Sequence, residues 1–318
     1  MLLLSQEETR KALPFIALVD ALDVMFKSGC EMPVRHHHDM AVPGEPDATM
    51  LLMPAWVPGA FSGVKIVNVM PGNSGRGLPA ISAEYLLSDA RTGEMLAMIN
   101  GGELTARRTA AASALAARYL ARKNASHLVV AGTGRVALNL VAAHLAVRPI
   151  THVTFWGRSL DKAQALAAEA AALYGITVEG TSDLEQAVRA ADIVSAATLS
   201  NDPLILGEWL QSGTHVDLVG AFKPTMRESD DEAVRRAVVF VDTRESCSKE
   251  GGDISQPLAS GVLTASDIKA DLYDLARGLH KGRADDAEIT LFKSVGVALE
   301  DLAGAMLAYR TVTSPTTS

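Results

Sequence analysis

Only two cysteines, Cys30 and Cys247, occur in the chain. They form no metal-ligand spacing, and so sparse a use of cysteine suggests a reducing, cytoplasmic compartment. Positive charge is also scarce. Lys and Arg number 29 against 37 Asp and Glu, a net charge of −8, with no long basic run. That balance argues against nucleic acid or an anionic membrane surface as a partner. No apolar run reaches the ~18–20 residues that cross a bilayer. The start, Met1-Leu2-Leu3-Leu4-Ser5-Gln6-Glu7-Glu8, lacks the basic segment of a secretion signal. No internal repeat is visible. What remains is a chain of 318 residues, 48% hydrophobic and 21% charged. This is the composition of a soluble globular protein with room for two domains.

The most informative stretch is Leu128-Val129-Val130-Ala131-Gly132-Thr133-Gly134-Arg135-Val136-Ala137. An apolar run, then G-x-G-x-x-A, then an Ala/Leu/Val pattern reads as strand, tight turn and helix, the phosphate-binding turn of a dinucleotide domain. Gly132 permits a turn that a Cβ would obstruct, Gly134 lets backbone approach a pyrophosphate, and Ala137 lets the helix pack on the strand.

Around this turn the chain falls into two textures. Ser5 to Glu8 fits a capping box. Apolar residues at Phe15, Leu18, Val19, Leu22, Met25 and Phe26 predict a helix over 15–27. From 32 to 96, Pro and Gly interrupt short apolar runs, with strands predicted at 49–53, 63–69, 80–87 and 94–99 in an open or mixed sheet. The Ala-rich segment 105–122 predicts a helix. Beyond it, strands at 128–131, 153–156, 177–178, 193–197, 215–219 and 237–242 alternate with helices that include 160–174 and 184–189. That alternation predicts an α/β fold with a Rossmann-type doubly wound parallel sheet. The chain is expected to leave this sheet near 289–295. A helix over 295–309 then returns to the first domain, and the polar tail 311–318 is expected to be disordered. The expected domains are a discontinuous α/β one, 1–118 with 295–318, and a dinucleotide-binding one, 119–294.

An acidic residue at the tip of the second strand marks NAD-type domains. Here that tip reads Trp156-Gly157-Arg158-Ser159-Leu160-Asp161-Lys162. Arg158 can pair with a ribose 2′-phosphate, with Lys162 assisting, so NADP(H) is preferred and NAD(H) remains usable because Arg can also stack on adenine. A substrate site is expected in the crevice at the strands' carboxyl ends, facing the other domain. The first domain offers cations in apolar settings: Arg35, Lys65, and Arg107 and Arg108 at the start of the Ala-rich helix. Cations there oppose the helix dipole, which a nearby anion would rationalise. Such cations suit a clamp for a small carboxylate, although spacing alone does not bring them together.

The chain resembles the ornithine cyclodeaminase/mu-crystallin family from about residue 3 to 309. The resemblance lies in P-V-R (33–35), G-V-K-I-V-N-V-M-P-G-N (63–73), L-T-A-R-R-T-A-A-A-S-A-L-A-A (104–117) and G-T-G-R-V-A (132–137). It continues in W-G-R-S (156–159), V-G-A-F-K-P-T-M-R-E (219–228) and L-F-K-S-V-G (291–296). It implies a two-domain homodimer whose first domain carries the dimer interface and the carboxylate site, with Arg35, Lys65 and Arg108 holding the substrate carboxylate. True ornithine cyclodeaminases carry an aspartate where this chain has Phe222, and an acid before the M-P dipeptide where this chain has the apolar run Met50-Leu51-Leu52-Met53-Pro54. Losing both suits a substrate without a distal ammonium. The G-A-F-K-P-T-M-R-E form resembles the branch that reduces cyclic ketimines, Δ1-pyrroline-2-carboxylate and Δ1-piperideine-2-carboxylate, to L-proline and L-pipecolate.

On this reading a small cyclic imino acid sits on the three cations, its C2 beneath the nicotinamide, and positioning supplies much of the rate. A protonated imine is the better electrophile, so a dedicated acid is dispensable. If one is needed, Lys65 through water or one of His36, His37 and His38 can serve. These histidines alternate faces of an extended segment, which argues against a metal site. The expected cofactor contacts are Thr109, Gly132, Thr133, Gly134, Arg135, Val136, Arg158, Ser159, Lys162, Thr198, Ser200, Gly220 and Phe222. Glu228 and Asp301 are read as structural or interface residues. The alternatives are an ornithine cyclodeaminase or alanine-type dehydrogenase, and a non-catalytic, mu-crystallin-like NADP-dependent binding protein.

Overall fold

A computed structural model describes residues 1–314. The chain divides into two compact units. One comprises Met1–Arg108 and the segment that begins at Val297; the other comprises Thr109–Gly296.

The first unit runs β1 (Leu2–Leu4), α1 (Gln6–Ala12), α2 (Phe15–Ser28), β2 (His36–Met40), β3 (Ala48–Val57), β4 (Phe61–Val69), β5 (Ile81–Asp89) and β6 (Met95–Asn100). These strands form one sheet in the order β1-β6-β5-β4-β3-β2, with β1 parallel to β6 and the other pairs antiparallel. The capping box forms as expected: Ser5 Oγ accepts from the Glu8 N–H while the Ser5 N–H donates to Glu8 Oε2 at 2.9 Å. The six apolar residues predicted for one face of α2 are the six it buries. The C-terminal helix (Ala298–Thr313) packs on α1, α2 and β3 to β6. On its side of the sheet, Met53, Lys65, Tyr85 and Ile99 form one cross-strand row, all buried. Because strand side chains alternate, the opposite face presents Pro54, Val64, Leu86 and Met98, all half-buried.

Helix α3 (Gly101–Leu120) starts earlier than the expected 105, because Asn100 Oδ1 accepts from the Glu103 N–H at 2.9 Å and caps it. The chain passes from the first unit to the second within α3. Arg107 and Arg108 therefore stand in the helix's second turn rather than at its start, which corrects the expectation that they oppose the dipole at its first turn.

The second unit continues with β7 (His127–Ala131), α4 (Ala137–Leu145), β8 (His152–Trp156), α5 (Leu160–Tyr174), β9 (Thr177–Thr181), α6 (Leu184–Ala190) and β10 (Ile193–Ala196). It ends with β11 (His215–Leu218), α7 (Asp231–Arg236), β12 (Val238–Val241), α8 (Arg244–Glu250), α9 (Gly252–Ser260), β13 (Ile268–Asp271), α10 (Leu272–Ala276) and β14 (Thr290–Lys293). The sheet order is β13-β12-β14-β11-β10-β7-β8-β9, parallel throughout. Strands β7, β10 and β11 are buried almost end to end, as expected where helices cover both faces. The order reverses between β7 and β10, the kind of switch point at which doubly wound sheets take ligands beyond their strands' carboxyl ends.

Two expectations are corrected here. Near 289–295 the chain does not leave the sheet. Thr290–Lys293 is β14, wedged between β11 and β12, and its polar ends Thr290 and Lys293 are fully buried. Polar residues at both ends of a four-residue run hide the strand signal. The C-terminal helix, in turn, includes 311–313, and 315–318 of the expected disordered tail lie outside the described residues.

Candidate active site

The glycine turn after β7 lines a cleft of about 280 Å³ in the second unit, together with Trp156, Gly157 and Arg158 after β8 and Ala197 to Ser200 after β10. Gly132 has φ +125°, and a Cβ on it would come within 2.7 Å of Ala197 O. That turn therefore requires glycine for the protein's own sake. Gly134 is different. A Cβ there would meet no protein atom within 4 Å, so packing does not explain its glycine. A group lying against the backbone from outside would. Ala137 is buried where α4 begins and its N–H donates to Gly134 O at 3.1 Å, while Val136 caps α4 without a side-chain bond. Such a cradle fits a pyrophosphate.

Of the expected cofactor contacts, Gly132, Thr133, Gly134, Arg158, Thr198 and Ser200 are brought together around this cleft. Arg158 is exposed at its edge. The others do not line it. The Ser159 side chain is used as the N-cap of α5, accepting from the Lys162 N–H at 3.4 Å, and Lys162 points into solvent. Arg135 and Val136 belong to the turn that enters α4, Thr109 is half-buried in α3, and Gly220 and Phe222 follow β11. Phe222 is 37% exposed, with the Lys223 ammonium 5.8 Å from its ring. Ser200 Oγ donates to Asp202 O at 2.7 Å, a local turn.

The first unit holds a second constellation. Lys65 on β4 is buried, its Nζ 2.7 Å from Asp301 Oδ2. Arg108 on α3 donates from Nε to Asp301 Oδ1 at 2.9 Å and from Nη1 to Glu300 Oε2 at 2.7 Å. Asp301 thus bridges the two cations that sequence spacing could not bring together. Burial lowers the Lys65 ammonium to about 8, with the Arg108 and Arg35 charges adding to the fall and Asp301 opposing it. Burial also works against the Arg108 charge and the Asp301 charge. In each the opposite charges prevail, holding Arg108 protonated and Asp301 below the usual carboxylate range. Arg35 stands half-buried just before β2.

Arg107 belongs elsewhere: its Nε donates to Leu13 O at 2.9 Å, and its guanidinium lies 4.1 Å from the Phe15 ring centre. His36, His37 and His38 are exposed on β2, with the His36 and His38 rings 6.3 Å apart. Among the described residues no three His, Cys, Asp or Glu side chains are grouped to hold a metal ion. Sequence reasoning missed Glu300 and Asp301 as partners of the cations. Two adjacent acids between Leu299 and Leu302, on a face that packs inward, were the available signal.

The ornithine cyclodeaminase/mu-crystallin family profile matches residues 2–315. The chain belongs to that family. It is 42% identical over 286 residues to the Δ1-pyrroline-2-carboxylate reductase of Paracoccus denitrificans, covering 89% of each chain. The Thermococcus litoralis Δ1-pyrroline-2-carboxylate reductase in complex with NADH and L-proline superposes with a TM-score of 0.91 at 33% identity, over 98% of this chain and 97% of that one. An archaeal alanine dehydrogenase dimer with bound NAD gives 0.90 at 31% identity, over 99% of this chain and 96% of that one. A family member of this architecture is an α/β protein with a parallel, Rossmann-type sheet.

Proposed function

We propose that this chain is an NAD(P)H-dependent ketimine reductase, converting Δ1-pyrroline-2-carboxylate to L-proline and Δ1-piperideine-2-carboxylate to L-pipecolate. The observation that carries this reading is the full-length likeness to Δ1-pyrroline-2-carboxylate reductases, one of them a structure with NADH and L-proline.

On this reading the first unit binds substrate and the second binds the dinucleotide. Arg35, Lys65 and Arg108 hold the substrate carboxylate, while Asp301 and Glu300 keep two of those cations in place and charged. When bound, the reduced nicotinamide supplies the hydride that the imine carbon accepts. The C=N electron pair then moves onto nitrogen, which holds a proton in the product. Lys65 is suited to hold and release that proton, since burial brings it to about 8. Phe222, where ornithine cyclodeaminases carry aspartate, has no charge for a distal ammonium, which favours a ring with none.

Arg158, at the edge of the cleft where an NAD-type domain has a carboxylate, supports NADPH as the preferred cofactor, with NADH usable. The half-buried apolar face of Pro54, Val64, Leu86 and Met98 supports a homodimer formed through the first unit. Cys30 and Cys247 are free thiols rather than a disulfide, which suits the cytoplasm.

The decisive experiment offers both cyclic imines with NADPH and with NADH and follows loss of the reduced nicotinamide's absorbance. Turnover of at least one imine is expected. No turnover with either cofactor would sink the reading, and oxidation of NADPH only with pyruvate plus ammonium would replace it with an alanine-type dehydrogenase.

A further inference from the structure

Glu228 is a fully buried carboxylate that the mechanism above does not use. Its Oε1 accepts from the N–H of Thr198 at 2.7 Å and from Thr198 Oγ1 at 2.9 Å. Its Oε2 accepts from the N–H of Gly220 at 2.7 Å and of Ala221 at 3.1 Å. Thr198 follows β10 and Gly220 follows β11, and the sheet ladder joins these strands only as far as Ala196 and Leu218. Beyond that point two stretches of backbone run side by side with their N–H groups unable to pair with each other. One ionised carboxylate joins all four donors, a task that needs two acceptor oxygens. The fit is close: a Cβ on Gly220 would come within 1.9 Å of Thr198 O and 2.6 Å of Glu228 Oε1.

The carboxylate is itself held from behind. The Glu228 N–H donates to Asp253 Oδ1 at 2.8 Å, and Lys293 Nζ lies 3.8 Å from Glu228 Oε2 and 3.0 Å from Asp253 Oδ2. Asp253 from α9 and Lys293 from β14 are the charged groups facing Glu228. Thr198 follows β10 and Arg158 follows β8, strands on opposite sides of β7, so a dinucleotide with its ribose phosphate at Arg158 would extend its nicotinamide half toward Thr198.

We propose that Glu228 is a positioning residue for the dinucleotide. It sets the spacing between Thr198 and the Gly220–Ala221 backbone, and so the shape of the surface against which the nicotinamide half rests. The inference rests on the reading of the cleft as a dinucleotide site.

The test is the Glu228→Gln variant, titrated with NADH by nicotinamide fluorescence and assayed with Δ1-pyrroline-2-carboxylate. Glutamine has one acceptor oxygen, so its NH2 must face one of the two donor pairs. The Kd for NADH is expected to rise about tenfold or more, the range of a lost charge-assisted hydrogen bond, while the imine KM moves less than about threefold. A folded variant that binds NADH as the wild type does overturns the proposal. A wild type that binds neither NADH nor NADPH overturns the dinucleotide reading as well.

If the variant does not fold, the wild type decides. Burial raises the Glu228 carboxyl to about 7, Asp253 adding to the rise and Lys293 opposing it. A protonated carboxyl turns an O–H toward donors, so affinity for NADH is expected to fall as pH drops through about 7. Affinity that stays constant from about pH 8.5 to 5.5 overturns the proposal. NADH is the probe because the 2′-phosphate of NADPH titrates near pH 6 itself.

Discussion

Lys65 and Asp301 form a buried ion pair, Nζ to Oδ2 at 2.7 Å, between a central strand and the C-terminal helix of the first unit. Asp301 also takes the Arg108 Nε, so one carboxylate serves two buried cations. Removing an anion from such a group leaves buried charge unbalanced, which costs more than the pair ever contributed.

Asp301→Ala is therefore expected to destabilise the protein by about 3–5 kcal/mol in urea unfolding. A loss below about 1 kcal/mol, the worth of an exposed pair, would show that the cations find other anions. The pH dependence has a definite sign. Because Asp301 titrates below its ordinary 3.8 in the folded state, its contribution is present above that value. It is lost as pH falls below 3.8 and through the depressed folded value.

The Lys65 ammonium, lowered to about 8, loses its proton as pH rises through that value. Substrate anchoring and any proton supply from Lys65 fall together, so kcat/KM for the imine should decline above about pH 8. The imine also titrates, and Lys65→Arg separates the two causes. Arginine stays charged, so the alkaline decline should shift or vanish if Lys65 causes it and persist if the substrate does.

Arg108→Lys keeps the charge beside Glu300 and Asp301 but loses the planar fork. We expect KM for the cyclic imine to rise roughly 10- to 100-fold, equivalent to one charged hydrogen bond of about 1.5–3 kcal/mol. Both KM and kcat unchanged would remove Arg108 from the carboxylate clamp.

Arg158→Ala should lower the NADPH-to-NADH ratio of kcat/KM by roughly 10- to 100-fold, for the same reason. The change should fall on NADPH. A ratio that does not move would mean that Arg158 is a solvated surface residue and that cofactor preference is set elsewhere.

Several features of this chain follow from local physics and were legible in its sequence. The Ser5 capping box, the six buried residues of α2 and the glycine turn each depend on residues a few positions apart, whose effects the helical or strand period makes visible. The parallel character of the second unit was legible too, because strands alternate with helices along that stretch of chain. Family membership was readable from motifs in fixed order, independent of how they meet in space.

What only the tertiary structure decided concerns charges that find partners far along the chain. The segment 289–295 was read as an exit from the sheet, whereas it holds β14, whose buried Lys293 meets Asp253 from a distant helix. Glu228 gave no sign of tying together the ends of β10 and β11. Asp301 gave none of joining Lys65 to Arg108. A buried charge is tolerable only where an opposite charge or donors meet it, and sequence spacing does not encode which distant residue will do so.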